Sequence, residues 1–355
     1  MSQSELLESL GEQYHKHLAP SGGPARMMAA RGMAPLPPRE LLIVLCGLSI
    51  DSDEKLSASA TASLGKLPDD LLAPALEGEL PPLALAIATP HLKNREGLLE
   101  KILLNQNTGD EVIAGVASEL SEPLAEIVLG NQERCLRSEQ IVSQIRTNGS
   151  VSRASLDRMF DFLVRSGVIY DEMAEFAQAM GRLSANEMEH FAELVELPSE
   201  MGDFTEDDGA VEEDDDGRRV PMLKLVAQLT AAQKVALALK GNREARMILI
   251  RDSNRVVASA AVRNPRLSEA EVLSAAQNRS LCDEVIRIIS NNREMVRPYP
   301  VKLALVYNPK TPLALAMRFL NLLRAADIKN LAKSKGVPQA VAKQAQRIAG
   351  KKKPR

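Results

Sequence analysis

The chain has 355 residues and a formal net charge of -3 at neutral pH, with 45% hydrophobic and 26% charged residues, 3% aromatics and no Trp. That length allows two or three domains, and the composition is that of a folded chain whose core is built from Leu, Ala, Val and Ile. The longest purely apolar run, Leu41 to Cys46, falls far short of the ~20 residues of a membrane-spanning helix. The opening Met1-Ser2-Gln3-Ser4-Glu5 has neither the basic nor the apolar stretch of a secretory signal, so a cytoplasmic protein is expected.

Residues 1–35 read as a flexible N-terminal segment, with a short helix over Glu5 to His17 followed by the breaker run Ala19-Pro-Ser-Gly-Gly-Pro24. From Pro37-Pro38 the chain becomes regular, because proline is tolerated in a first helical turn, and Arg39 to Leu48 reads as a buried helix. Helices follow at 52–65, 68–77, 81–92, 95–105, 109–119, 121–130, 133–147 and 152–166, with one or two more over 170–196. No stretch alternates with period two, so strands are not expected. Pro198 to Gly217 holds ten acids and no Lys or Arg, the composition of a disordered linker. Helices resume at 221–229, 231–240, 243–252, 254–262, 268–277, 281–290, 299–307, 311–323, 325–334 and 338–349, and the chain ends in the basic tail 351–355. The expected organisation is therefore an acidic helical-repeat domain over 36–197, an acidic linker over 198–219 and a basic helical-repeat domain over 220–350.

The small net charge conceals a large asymmetry. Residues 1–217 hold 16 Lys+Arg and 39 Asp+Glu, a balance of -23, whereas 218–355 hold 28 and 8, a balance of +20. Such a division points to a polyanion-binding surface or to two halves that screen each other.

The breaks between helices recur. Asn-Arg-Glu occurs at Asn94, Asn242 and Asn292, a looser copy starts at Asn131, and related breaks fall at Asn107, Asn254, Asn264, Asn278 and Asn308. Two intervals make a repeat of about 22–30 residues, the signature of stacked helical units that cannot bury their apolar faces alone. Asn suits a break because its side chain accepts from a free N–H at a helix start. Asn264-Pro-Arg-Leu-Ser-Glu-Ala-Glu-Val-Leu273 and Asn308-Pro-Lys-Thr-Pro-Leu-Ala-Leu-Ala-Met317 resemble variant leucine-rich repeats, cousins of HEAT-like arrays. With Pro37-Pro-Arg-Glu-Leu-Leu42 near the front, the whole chain also resembles an uncharacterised bacterial repeat family, which brings no function with it. The resemblance implies an all-α fold of two solenoid segments and a scaffold or binding role.

The cations in the breaks are the candidate site. Arg243, Arg255, Arg279 and Arg293 directly follow an Asn, and Arg266 and Lys310 follow an Asn-Pro. If the repeats stack in register these six line one edge, and Arg246, Arg251, Arg263, Arg287, Arg297 and Lys302 widen it. A cation in a first turn opposes the helix dipole, so local stability does not account for it. A row of guanidinium groups suits the phosphates of a nucleic-acid backbone. The competing reading is ion pairing between neighbouring repeats, since Arg95 occupies the same place in the acidic half. Tyr299, Tyr307 and Phe319 are the only aromatics after residue 217, so readout by interleaved stacking is not expected. Partners are thus an anionic macromolecule, either nucleic acid or an acidic protein segment, with the chain's own 198–217 as an intramolecular candidate. No membrane contact and no small-molecule substrate are expected.

Catalytic constellations are missing from the sequence. His15, His17, His91 and His190 show no metal-ligand spacing, and there is no phosphate loop, dinucleotide fingerprint or nucleophile elbow. Cys46, Cys135 and Cys282 form neither a disulfide framework nor a metal knuckle, and they read as buried thiols. HEAT-like stacks that perform base excision place an acid in a basic groove. Asp252, Asp283 and Asp327 are the only Asp residues of the basic half, and none has a flanking aromatic to hold a base. Ile141 to Ile169 resembles parts of a winged-helix domain but leaves no room for a separate second helix, so it reads better as another helical pair. The expectation is a non-enzymatic scaffold without cofactor or metal.

Overall fold

The computed structural model describes residues 3–171, 173–198, 212–213, 219–220, 222–334 and 336–351. Among these the protein is an all-α helical-repeat fold, apart from a two-residue antiparallel pairing of Glu212–Glu213 with Arg219–Val220. Most of the acidic linker expected over 198–219, and all but the first residue of the 351–355 tail, lie outside the described residues. No helix among the described residues is long and apolar enough to cross a membrane.

Packing divides the chain into Met1–Met159 and Phe160–Arg355. The division falls inside the helix Arg153–Arg165, upstream of the boundary expected at 197. Glu175–Arg182 and Ala185–Leu194, expected in the acidic array, pack on Arg255–Arg263 and Ala231–Lys240 respectively. They bury Phe176, Met180 and Phe191, an apolar load that needs a partner face.

Within the first unit a run of helices packs each on the next but one. Pro38–Ser49 lies on Asp69–Glu77, which lies on Glu96–Leu104, which lies on Glu122–Gly130. In the second unit Ala231–Lys240, Arg255–Arg263 and Asp283–Asn291 form the same kind of layer, and Glu269–Gln277 packs on Tyr299–Tyr307. Over Ile141 to Ile169 the helices Glu139–Ile145 and Arg153–Arg165 follow each other with no separate helix between them. The single helix expected over 133–147 is two, Gln132–Arg137 and Glu139–Ile145, because the Ser138 side chain accepts from the Ile141 amide and starts a new helix.

The N-terminal segment departs from the expectation of flexibility. Gln3–Glu8 and Pro24–Ala30 pack on Pro38–Ser49, and Leu6 and Leu18 are wholly buried. Gly47 makes the approach feasible, since a Cβ there would sit 2.6 Å from Leu18 Cδ1. Polar ties complete the junction: Gln3 donates to the Gly47 carbonyl and to Asp51, and Arg26 pairs with Asp51. Its apolar residues are spaced around two 3-10 turns rather than along a regular helical face, so no periodicity in the sequence marks the packing.

The breaks are held by asparagine amides that reach the preceding repeat. Asn264 Nδ2 donates to the Ala238 and Leu239 carbonyls at 2.8 and 3.0 Å, and Asn308 Nδ2 donates to those of Ala276 and Asn278 at 2.8 and 3.1 Å. In the first unit Asn148 serves Ala117 and Leu120, and Asn105 serves Leu76 and Gly78. Each of these four Oδ1 atoms accepts from the amide two residues on, at Arg266, Lys310, Ser150 and Asn107. The last four carbonyls of a helix lack partners within it, and here the next repeat supplies the donors. Asn264, Asn308 and Asn148 are buried.

Asn308→Ala should therefore strand two carbonyls and lower the unfolding free energy by about 2–3 kcal/mol. Asn308→Asp should not restore it, because the donor is gone. Asn291→Ala, on the exposed surface, should shift it by less than about 0.5 kcal/mol. Urea unfolding of the three variants checks this, and equal midpoints for the two alanine variants would exclude the asparagine tie.

Candidate functional site

Three breaks share one arrangement of cation, carbonyl and Asp. Arg95 donates to the Leu67 carbonyl at 2.7 Å and pairs with Asp69. Arg134 donates to the Thr108 carbonyl at 2.6 Å and to Asp110 at 2.7 Å. Lys310 donates to the Leu281 carbonyl at 2.5 Å and lies 3.6 Å from Asp283. In each case the Asp opens a helix, where the dipole favours an acid, and sits two residues beyond the carbonyl. Arg137 adds a two-pronged contact to Asp110 and, with Arg134, outweighs partial burial to hold that carboxyl below its ordinary range.

This arrangement removes cations from the surface row expected along the basic array. Lys310 is one. Arg246 is another: it is 4% exposed, and its guanidinium meets Glu271, 1% exposed, at 3.1 and 3.3 Å while a third bond goes to the Gly241 carbonyl. Burial pushes the Glu271 carboxyl up, but bonds from Arg246 and from the Ser268 hydroxyl and amide outweigh it, so Glu271 stays below the ordinary carboxylate range. Arg263 is half-buried and donates to the Met180 carbonyl at 3.2 Å, and burial lowers its pKa. The helical spacing that puts Arg246 and Arg263 near the breaks also turns them inward.

Of the other nine residues of the row, Arg287 pairs with Glu284 and Lys302 donates to the Arg297 carbonyl, while Arg243, Arg251, Arg255, Arg266, Arg279, Arg293 and Arg297 are exposed and form no ion pair among the described residues. Arg243 and Arg255 each open a helix after an N-cap asparagine. The structure brings some of these cations together. A cavity of about 430 Å³ is walled by Met188, Leu239, Lys240, Arg263 and Arg266, with Glu189 and Glu193 at its edge. A neighbouring cavity of about 470 Å³ shares Arg263 and Pro265 and adds Arg297, Glu269 and Glu294. Arg255 lies elsewhere, with Lys234, Asp171 and Asp252 around a cavity of about 530 Å³. Arg279 lines a fourth beside Tyr307. Neither Lys240, at the end of the helix Ala231–Lys240, nor Lys234, near its start, follows an asparagine, so the break pattern does not single them out.

No group of three or more His, Cys, Asp or Glu among the described residues is placed to hold a metal. Burial raises the Cys46 thiol to about 12, and burial followed by the Asp110 charge raises Cys135 to about 11, so both stay protonated. Cys282 is half-exposed, contrary to the expectation of three buried thiols.

Arg246→Met should lower the unfolding free energy by about 3–5 kcal/mol at neutral pH, because Glu271 is left buried and unpaired. The carboxyl's lowered folded pKa means its contribution is complete above its unfolded value of about 4.3 and fades as pH falls through the folded one. The deficit of the variant should therefore shrink in acid, whereas Arg266→Met should be near wild type throughout. Urea unfolding across pH measures both, and a pH-independent deficit would contradict the pairing. No protein-family model matches this chain, and none of the curated proteins compared with it matches either.

Proposed function

We propose that this chain is a non-enzymatic, cytoplasmic binding scaffold whose basic C-terminal array holds an anionic macromolecule, and that this partner is a nucleic acid gripped through its phosphates. The supporting observation is how the carboxylates of the basic half are used. Of its eight acids, Asp252, Glu271, Asp283 and Glu284 are taken by Lys234, Arg246, Lys310 and Arg287. Asp327 accepts from the Tyr299 hydroxyl. Glu244, Glu269 and Glu294 remain to face the seven exposed arginines of the row and the exposed Arg318, Arg324 and Arg347. In the first unit, by contrast, Lys93, Arg95, Lys101, Arg134 and Arg137 all have carboxylate partners. A surplus of guanidinium without internal partners favours an external anion, and planar forked donors suit phosphate oxygens.

Binding of the full chain to duplex and single-stranded DNA over a salt series tests this. The logarithm of affinity should fall linearly with the logarithm of salt, by about 0.9 per duplex phosphate contacted. The triple variant Arg255→Gln, Arg266→Gln, Arg297→Gln should flatten that slope by up to about 3. Absence of binding at low salt would overturn the proposal and leave an acidic protein segment as the partner to examine.

A further inference from the structure

The cavity beside Arg279, about 360 Å³, differs from its neighbours in carrying no carboxylate. Glu189, Glu193, Glu269 and Glu294 border the two cavities around Pro265, and Asp171 and Asp252 border the one at Arg255. Here the polar wall is Gln277, Arg279 and Tyr307, and the apolar wall is Pro300, Leu303 and Ala304. An anionic ligand meets no repulsion from the lining of this cavity alone among the four.

The two walls are fixed against each other by the asparagine tie. Gln277 ends the helix Glu269–Gln277, and Arg279 follows it in the break. Tyr307 ends the helix Tyr299–Tyr307. Asn308, the next residue, donates to the Ala276 and Asn278 carbonyls and so pins the end of one helix beside the end of the other. The Arg279 guanidinium also passes close to Gly336, where an added Cβ would lie 3.2 Å from its Nη2. The other tyrosine of this region is already engaged. The Tyr299 hydroxyl donates to Asp327, and the Arg324 guanidinium lies 4.6 Å from its ring centre. Tyr307 has no such partner among the described residues, and burial, with the Asp327 charge, pushes its phenol up so that it remains a neutral donor.

We propose that this cavity is a single-nucleotide subsite for single-stranded nucleic acid, with Arg279 on a phosphate and Tyr307 against the adjoining unstacked base. This rests on the nucleic-acid reading of the array and adds to it a preference for single strands. A cavity of this size suits one nucleotide unit, and a base reaches a protein ring only after leaving its stack. Every base presents a flat π-face, so the subsite is tolerant of sequence.

The experiment measures binding of the full chain to labelled oligo(dT), to a duplex of equal length and to inorganic polyphosphate. Wild type should bind oligo(dT) more tightly than duplex. Tyr307→Leu should lose about 5- to 100-fold on oligo(dT), the worth of one stacked base, and should bind polyphosphate as wild type does, which also shows that it is folded. Tyr307→Phe should retain most of the oligo(dT) affinity, and Arg279→Gln should weaken both probes. If Tyr307→Leu binds oligo(dT) like wild type while DNA binding keeps its salt slope, the subsite is refuted and the broader reading survives. If wild type binds neither DNA at low salt, both fail.

Discussion

Everything in this fold depends on satisfying the carbonyls at the ends of short helices. A helix of nine residues has four carbonyls without internal partners, so nearly half of its backbone acceptors must be served from outside. In an isolated helix water does this. In a stacked array many of these ends are covered by the next repeat, and an unserved carbonyl costs about 1–3 kcal/mol. The protein meets the demand with side chains roughly one repeat further along the chain, the buried amides of Asn148, Asn264 and Asn308, while the cations Arg95, Arg134 and Lys310 serve carbonyls within the breaks themselves. Threonine contributes from within the break, since Thr108 and Thr311 both donate to the carbonyl six residues back at 2.6 Å. The same chemistry at Asn105-Gln-Asn-Thr108 and Asn308-Pro-Lys-Thr311 ties the two units to one structural repeat despite their opposite charge.

That demand also reshapes the electrostatics. A cation that serves a carbonyl and an Asp is not available to a partner outside. In the acidic half Arg95 and Arg134 are used this way. In the basic half acids are scarce and most are already held, Glu271 in a buried pair, so the remaining arginines point outward unneutralised. The asymmetry of the sequence is thus amplified at the surface.

Much of the fold was legible because its punctuation is chemical. Helix-breaking Asn, Pro and Gly placed most helices within two or three residues of Arg255–Arg263, Glu269–Gln277 and Tyr299–Tyr307, and the repeat followed from their spacing. Asparagine's larger role was not legible. Its side chain was read as a cap for the helix that follows, as at Asn242 and Asn254, whereas at Asn264 and Asn308 it reaches back 25 to 32 residues. A local pattern does not report on a partner one repeat away. The N-terminal packing was hidden for a related reason: Leu6 and Leu18 find their shared core only through contact with Pro38–Ser49. At the site, Arg246 looked equivalent to Arg243, yet three residues along a helix turn one outward and the other into Glu271.

Distance to an acid separates Arg95, Arg134 and Lys310, which face inward, from Arg255 and Arg266, which do not. Arg95, Arg134 and Lys310 each find an Asp 24 to 27 residues earlier, at the head of the helix packed before them. At the same distance before Arg266 lie Leu239, Lys240, Gly241 and Asn242, and before Arg255 lie Gln228, Leu229, Thr230 and Ala231. Before Arg279 the interval does contain Asp252, but Lys234 holds it at 3.2 Å. A guanidinium that finds no acid in the preceding repeat gains nothing by turning inward, because burial would strip its hydration without a countercharge. It stays in solvent, close to the neighbouring backbone and open on its outer side. The spacing that builds the repeat therefore also decides where the surface is left positively charged, and at Arg279 such a charge borders a cavity together with Tyr307.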